Sequence, residues 1–271
     1  MPELPEVFTI TRDLKEILPG STLINTEILE VYRSIPTSEE FQLLKNEKIK
    51  DVDRISKYIL IHFQNLTLQI HLGMTGRIRF SKEKEMFGWD KLRLEFINSR
   101  NEKFFINFTD TRKFGKVKIQ KNISINTGYE PLLESIEKIE KTAHKIQKKN
   151  SEIKNILLDQ TLVSGLGNIY ANDTLFHSKV NPLIKAKDLS IDQIKNIISS
   201  AKIVLERGIK NGGSSLKDKM YSDIYGKYGT YQDHFLIYER TSCTDCETPI
   251  VKIKIKGRSS YYCPHCQPNN I

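Results

Sequence analysis

The sequence predicts an α+β protein: a leading helix with a mostly antiparallel β domain, then a helical domain, then a small hairpin gathered by four cysteines. Three observations carry this reading. Apolar residues recur at helical spacing at the start of the chain, alternate with polar ones from Thr22 to about Gln120, and return to helical spacing beyond Pro131. At 271 residues there is room for about two domains of ordinary size. With 38% hydrophobic and 28% charged residues, a mainly disordered or low-complexity chain is excluded.

Taken in order, Pro5 stands in a first helical turn, where its missing N–H is no loss, and Val7, Ile10, Leu14, Ile17 and Leu18 mark one face before Gly20 ends the helix. Segments such as Lys91–Ile97 and Glu102–Phe108 alternate and are separated by Gly, Asn and Ser, the pattern of short strands. The polar stretch from Asn122 to Pro131, with Gly128, reads as a linker. Ile153 to Gln160 is helical in pattern, and Gly165-Leu-Gly-Asn168 opens a further helix at Ile169. The clearest helix begins at Ser190, where Ser190 and Gln193 form a capping box. Ile191, Ile194, Ile197, Ile198, Ala201, Val204 and Leu205 share its face, and Gly212 and Gly213 stop it. Val251 to Lys256 alternates again, so the cysteines bracket a β-hairpin. The expected division is 1–128, 129–232 and 233–271. No repeat or low-complexity segment interrupts it.

No apolar run approaches the roughly 18 residues of a membrane-spanning helix, the best being Tyr58–Phe63 with His62 inside it. Met1 to Val7 carries acids where a secretory leader needs bases, so the chain is expected in the cytoplasm, with no membrane partner. Lys and Arg number 42 against 33 Asp and Glu, a net charge of +9 that favours a polyanion, nucleic acid first, over a merely solvated surface. Lysines 138, 141, 145, 148, 149 and 154 fit either a phosphate-facing stripe or a solvated helix face.

Cys243-x2-Cys246 and Cys263-x2-Cys266 are two short pairs, each able to aim two thiolates at one ion. Two disulfides are the competing reading, opposed by a reducing cytosol and by the short spacing. The pattern therefore gives one structural zinc. Four sulfurs leave no open position for water, so the metal holds structure and does no chemistry. His265 lies inside the second pair as a competing ligand that four thiolates make unnecessary.

The amino terminus is the unusual chemical feature. With Met1 removed, Pro2 presents a secondary amine, and an α-amino group, with a reference pKa of about 7.7–8.0, is far less protonated at neutral pH than a lysine. Such an amine attacking a sugar C1′ gives, after ring opening, a cationic iminium that acidifies the adjacent protons, so base loss and strand scission follow from one intermediate. Glu3 and Glu6 stand close by for proton transfer and for orienting the amine. The same residues also fit a plain helix start with acids near the positive helix end. Likewise the Gly165–Asn168 turn fits either a phosphate-binding helix start or a helix C-cap.

Several motifs occur in order: Pro2-Glu-Leu-Pro-Glu-Val7, Lys57 in Ile-Ser-Lys-Tyr-Ile, His71-Leu-Gly-Met-Thr-Gly76, and Asp110-x-Arg-Lys-Phe-Gly115. Asp159-Gln-x3-Ser-Gly-Leu-Gly-Asn-Ile-Tyr170, Gly212-Gly-Ser-Ser215 and the four-cysteine tail with Gly257-Arg258 complete the series. Along its whole length the chain resembles the bacterial formamidopyrimidine-DNA glycosylases. The resemblance implies a β-sandwich behind the leading helix, a helix-two-turns-helix domain, and a bifunctional enzyme. That enzyme excises oxidised purines, chiefly 8-oxoguanine and formamidopyrimidines, from double-stranded DNA and nicks the strand by β,δ-elimination. It further implies Pro2 as nucleophile, Glu3 as general acid for sugar opening, Glu6 as a supporting carboxylate and Lys57 as a phosphate-gripping amine that assists catalysis. Lys154, Asn168 and Arg258 match phosphate contacts, and Met74, Arg112 and Phe114 match the side chains that fill the duplex where the damaged nucleotide has left, Arg112 facing the orphaned cytosine. A wedge and a guanidinium there replace lost stacking and pairing, since flipping a base costs a few kcal/mol.

The chain departs from the family pattern at Phe8, where glutamate is usual, between Met86 and Asp90, where a histidine-rich stretch is common, and at Glu239, where glycine is usual. Leu216 to Asp233, with Tyr221, Tyr225, Tyr228 and Tyr231, matches the segment that closes over the everted base, aligning at Gly226, Gly229, Tyr231 and Gln232. Two other readings compete: an endonuclease VIII-like glycosylase for oxidised pyrimidines, against which Leu4 and Arg112-Lys-Phe114 speak, and a non-catalytic zinc-ribbon DNA-binding protein, against which the intact Pro2, Glu3, Glu6 and Lys57 speak. No obligate protein partner is indicated, and a monomer is expected.

Overall fold

A computed structural model describes residues 2–133, 135–217 and 219–269, with the side chain of Ile136 left aside. Met1, whose removal the sequence reading expects, lies outside the described residues. The chain divides into two compact units, one of residues 1–125 with 211–230 and one of 126–210 with 231–271.

In the first unit, α1 (Leu4–Ile17) starts at Glu3 as N-cap, with Pro5 in its first turn, and Glu6 in the first turn and Lys15 in the last match the helix dipole. Its periodic residues Val7, Ile10 and Leu14 are buried as the spacing predicts, and Leu18 N–H closes the end on Leu14 O at 2.9 Å. Two antiparallel four-stranded sheets follow. One has the order β1-β6-β7-β5, from β1 (Thr22–Ile28), β5 (Gly76–Ser81), β6 (Asp90–Ile97) and β7 (Lys103–Asp110). The other has the order β2-β3-β4-β8, from β2 (Asp51–Ile55), β3 (Tyr58–His62), β4 (Thr67–His71) and β8 (Lys116–Gln120).

Alternation decides which side chains enter the space between the sheets. Ile78, Leu92, Leu94, Phe96, Ile106 and Phe108 from one sheet form a single core with Val52, Ile59, Ile61, Leu68, Ile70 and Val117 from the other, and α1 joins it. This is the sandwich the resemblance implied. Burying one such aliphatic side chain is worth roughly 1.5–3 kcal/mol, and Leu14→Ala in this setting costs about 2–5 kcal/mol. A short helix α2 (Ser38–Gln42), absent from the sequence reading, is started by a capping box in which Thr37 N–H donates to Glu40 at 2.7 Å and Glu40 N–H to Thr37 Oγ1 at 3.3 Å.

The second unit holds α3 (Ile136–Gln147), α4 (Ile153–Leu157), α5 (Asn168–His177) and α6 (Ile191–Lys210), then the hairpin β9 (Val251–Ile255) and β10 (Arg258–Tyr262). Ser190 caps α6 as the sequence reading has it, its N–H donating to Gln193 Oε1 at 2.8 Å while Gln193 N–H donates to Ser190 Oγ at 3.1 Å. The hairpin is tied to α5 through Asn172, whose Oδ1 accepts Tyr261 N–H at 2.9 Å. Gln267 adds a second tie by donating to Val180 O at 2.7 Å. Asp173, fully buried, accepts from Tyr231 O–H at 2.9 Å and from the N–H groups of Leu236, Ile237 and Tyr238 at 3.2, 3.0 and 3.2 Å. One carboxylate thus organises the approach to the hairpin, and its four donors offset the desolvation that pushes its pKa up.

Candidate functional site

At the amino-terminal end of the first unit, Pro2 is buried and Glu3 and Glu6 are each 2% exposed. Buried carboxylates are tolerable only with donors. Glu6 has one on each oxygen: Glu3 N–H reaches Oε2 at 2.7 Å and Ser214 N–H reaches Oε1 at 2.6 Å. Gly213 makes the second possible, because a Cβ there would stand 2.8 Å from the Glu6 side chain. The Gly212–Ser215 motif therefore matters for backing the amino terminus as well as for stopping α6. That contact joins residues more than 200 positions apart, and no local pattern in the sequence announces it. Phe8, in place of the usual acid, is half-buried with the Arg54 guanidinium 5.9 Å from its ring centroid. Lys57, an exposed strand end if read as plain structure, is 6% exposed at the β2–β3 turn beside Ser56, whose φ is +53°. His71 ends β4 half-buried, and burial, with Lys57 and Lys116 adding repulsion, pushes its pKa down to about 4. Gly73 N–H donates to its Nδ1 at 3.2 Å, so the ring is a neutral imidazole carrying its proton on Nε2.

Met74 and Phe114, which would be core residues on apolarity alone, are 37% and 51% exposed. The structure brings their two turns together: a Cβ on Gly73 would lie 2.5 Å from the Phe114 carbonyl carbon. Arg112 sits with its guanidinium 5.0 Å from the Phe114 ring centroid, a cation–π pair at the surface. Asp110, fully buried, shapes this loop by accepting Thr75 O–H, Arg112 N–H at 3.2 Å and Gly115 N–H at 2.7 Å. Asp110 and Thr75 stand inside two of the ordered motifs, but the sequence alone gives neither a role. The available signal was an aspartate two residues before a turn position, where its side chain caps the backbone.

On the second unit, the Lys154 side chain is buried and its Nζ donates to Asn168 Oδ1 at 2.8 Å, so the structure joins two of the three expected phosphate contacts. Asn168 opens α5, and Gln160 shapes the turn before it: its amide donates to Leu166 O at 2.8 Å and accepts Gly165 N–H at 3.0 Å. The positive end of α5 suits an anion there. Arg258 is exposed at the β9–β10 turn, beside Lys256, which donates to Ser151 at 3.2 Å. Lysines 138, 141, 145, 148 and 149 are exposed, so of that series only Lys154 leaves the solvated face. Glu239 is also exposed, with φ +54°, a backbone region that favours the glycine usual in relatives.

The four cysteines fit a zinc ion. Their sulfurs all lie within 4.8 Å of one another, with Cys243–Cys266 at 3.8 Å and Cys246–Cys263 at 3.5 Å. A Zn–S bond of about 2.3 Å puts tetrahedral sulfurs about 3.8 Å apart. Asp245 and Cys266 N–H groups point at Cys243 and Cys263 sulfurs at 3.4 and 3.3 Å, contacts that favour thiolates. None of the four is in a disulfide.

An antiparallel sandwich with a leading helix, a helix-turn unit built around an anion-ready glycine turn and a four-thiolate ribbon together define a class of zinc-bearing nucleic-acid-binding proteins. Comparison with known proteins narrows it. Residues 1–117 match the formamidopyrimidine-DNA glycosylase N-terminal domain, residues 127–220 the H2TH domain of the same family, and residues 243–269 the zinc finger found in FPG and IleRS. A formamidopyrimidine-DNA glycosylase of Pelotomaculum thermopropionicum is 34% identical over 279 residues, covering 98% of this chain and 99% of the relative. One of Rickettsia bellii is 36% identical over 278 residues, with the same coverage. The Lactococcus lactis Fpg in complex with abasic-site DNA superposes with a TM-score of 0.89 at 29% identity, covering 99% of this chain and 100% of that one. Its complex with N7-benzyl-Fapy-dG DNA gives 0.89 at 30% identity, with the same coverage. The chain belongs to the formamidopyrimidine-DNA glycosylase family. Among the described residues, no helix is long and apolar enough to cross a membrane.

Proposed function

We propose that this protein is a base-excision repair glycosylase and abasic-site lyase for oxidised purines in duplex DNA, acting through Pro2. The observation that carries the mechanism is the pair of buried carboxylates next to Pro2, one of them fixed through both oxygens. Removal of Met1 exposes the Pro2 nitrogen. That nitrogen attacks C1′ as the bond from C1′ to the damaged base breaks, the base leaving with the bonding pair and taking up the proton that the nitrogen sheds. Glu3 protonates the ring oxygen as the C1′–O4′ bond opens, leaving the iminium between C1′ and Pro2. Loss of a C2′ proton then expels the 3′ phosphate, and a second elimination expels the 5′ phosphate. Glu6, whose oxygens are occupied by backbone donors, fixes position and field and leaves proton transfer to Glu3. Lys57 grips the phosphate beside the lesion.

Met74, Arg112 and Phe114 enter the gap in the duplex, their exposure and the Asp110 scaffold leaving them ready to do so without unpacking a core. Lys154, Asn168 and Arg258 hold backbone phosphates. Residues 216–233 cover the everted base. The functional division is 1–128 for chemistry, 129–232 for the DNA backbone and the covering segment, and 233–271 for the zinc ribbon. Zinc on Cys243, Cys246, Cys263 and Cys266 supplies a crosslink and no reactive position. The protein works as a monomer in the cytoplasm.

The test is a duplex holding 8-oxoguanine opposite cytosine, incubated with borohydride. A covalent adduct that is absent for Glu3→Gln and reduced for Pro2→Gly supports the reading. A protein that binds the duplex with neither adduct nor nick is the non-catalytic alternative. The Lactococcus lactis Fpg has also been solved with oxidised-pyrimidine DNA, so dihydrouracil and thymine glycol duplexes run in parallel and rank the pyrimidine reading.

A further inference from the structure

Strand β5 forms one end of its sheet, in the order β1-β6-β7-β5, so among the described residues its outer edge has no strand partner. Such an edge leaves backbone donors and acceptors to be satisfied. Residues 219–225 run along it in the same direction. Arg77 and Arg79, two apart on β5 and so on one face of the strand, reach across to them, while Ile78 between them is buried in the core. Arg77 donates from Nη2 to Lys219 O at 2.7 Å and from Nε to Met220 O at 2.9 Å. Arg79 donates from Nη1 to Ser222 Oγ at 3.1 Å, and Phe80 N–H donates to Ile224 O at 2.9 Å. The Arg79 guanidinium is itself steadied 5.0 Å from the Phe87 ring centroid, and Phe80 meets Tyr225 at 5.6 Å. Tyr221 and Ile224 are part of the sandwich core. The far half of the strap is thus anchored by burial, whereas Lys219 and Met220 are held to β5 by the Arg77 fork. A planar guanidinium presents a fixed fork to two successive carbonyls, whereas a lysine offers a single rotating ammonium on a flexible stem.

We propose that Arg77 and Arg79 are positioning residues for base excision. They hold the strap in register along β5, so that the segment covering the everted base is pre-ordered before the lesion arrives. The inference rests on the reading that residues 216–233 cover that base. It predicts a split between the two activities, because removing a base needs the base held still, whereas nicking a pre-formed abasic site involves no base at all.

Single-turnover rates are to be measured on a duplex with 8-oxoguanine opposite cytosine and on the same duplex with a pre-formed abasic site. For Arg77→Gln, excision is expected to fall about tenfold, since small misplacements are costly at the reacting centre, while abasic-site nicking stays within about twofold. Arg79→Gln follows the same pattern with a smaller loss, and Arg77→Lys recovers part of the excision rate. Unchanged excision in both glutamine variants overturns the proposal. So does an equal fall of excision and nicking, which marks a merely structural role. If the unsubstituted protein does neither reaction, the proposed function itself has failed.

Discussion

Glu6 and the four cysteines are both arrays of anionic ligand atoms, and the two units secure them in opposite ways. In the first unit the fold supplies every partner: Glu3 and Ser214 amides take the two Glu6 oxygens, as Thr75, Arg112 and Gly115 take those of Asp110. In the second, four sulfurs within 4.8 Å of one another need a dication before all can be thiolates. Under the proposed function, chemistry and DNA grip draw on separate reserves, hydrogen bonding in one unit and metal in the other. They should therefore fail separately.

The largest expected separation comes from Glu3→Gln. Loss of a general acid lowers rate about 10²–10⁴-fold, so single-turnover excision should collapse while the affinity for an undamaged duplex stays within about twofold. Zinc removal is the mirror experiment. Structural zinc contributes about 10–16 kcal/mol in zinc-finger peptides, so chelation or Cys263→Ser should disorder the hairpin and weaken duplex binding, with excision at saturating protein largely kept. Loss of chemistry with binding intact would overturn the structural role of the metal.

Within the second unit, Asp173→Asn turns one accepting oxygen into a donor facing donors. It should lower unfolding stability by about 3 kcal/mol, read by chemical denaturation, and weaken binding only through that loss. The smallest effect is at His71. Its pKa is depressed to about 4 from an ordinary 6.5, so the unfolded chain takes the proton first as pH falls. Its contribution to stability is fully present above about pH 6.5 and is lost progressively toward pH 4. A proton-NMR titration of the ring should show a midpoint near the lower value, and a midpoint near 6.5 would contradict the neutral assignment.

Much of this contrast was legible in the sequence because its causes are local. The α1 spacing of Val7, Ile10 and Leu14, the Ser190–Gln193 box and the cysteine pairs each act within a few residues, and the structure repeats them. What sequence alone could not show depends on distant partners. Ser214 behind Glu6, Asp173 under the hairpin and the return of residues 211–230 to the first unit have no periodicity to read. The exposure of Met74 and Phe114 reverses what apolarity suggests, because Asp110 and Thr75 fix their turns from below. Thr37 and Glu40, three apart, did offer a capping signal for α2 that was there to be read.

The mechanism turns on the identity of the attacking atom. Protein reduced with borohydride on 8-oxoguanine duplex, digested and sequenced by mass spectrometry, should carry the sugar remnant on a peptide that begins at Pro2. A remnant on a lysine such as Lys57, or full excision by protein that still retains Met1, would contradict it.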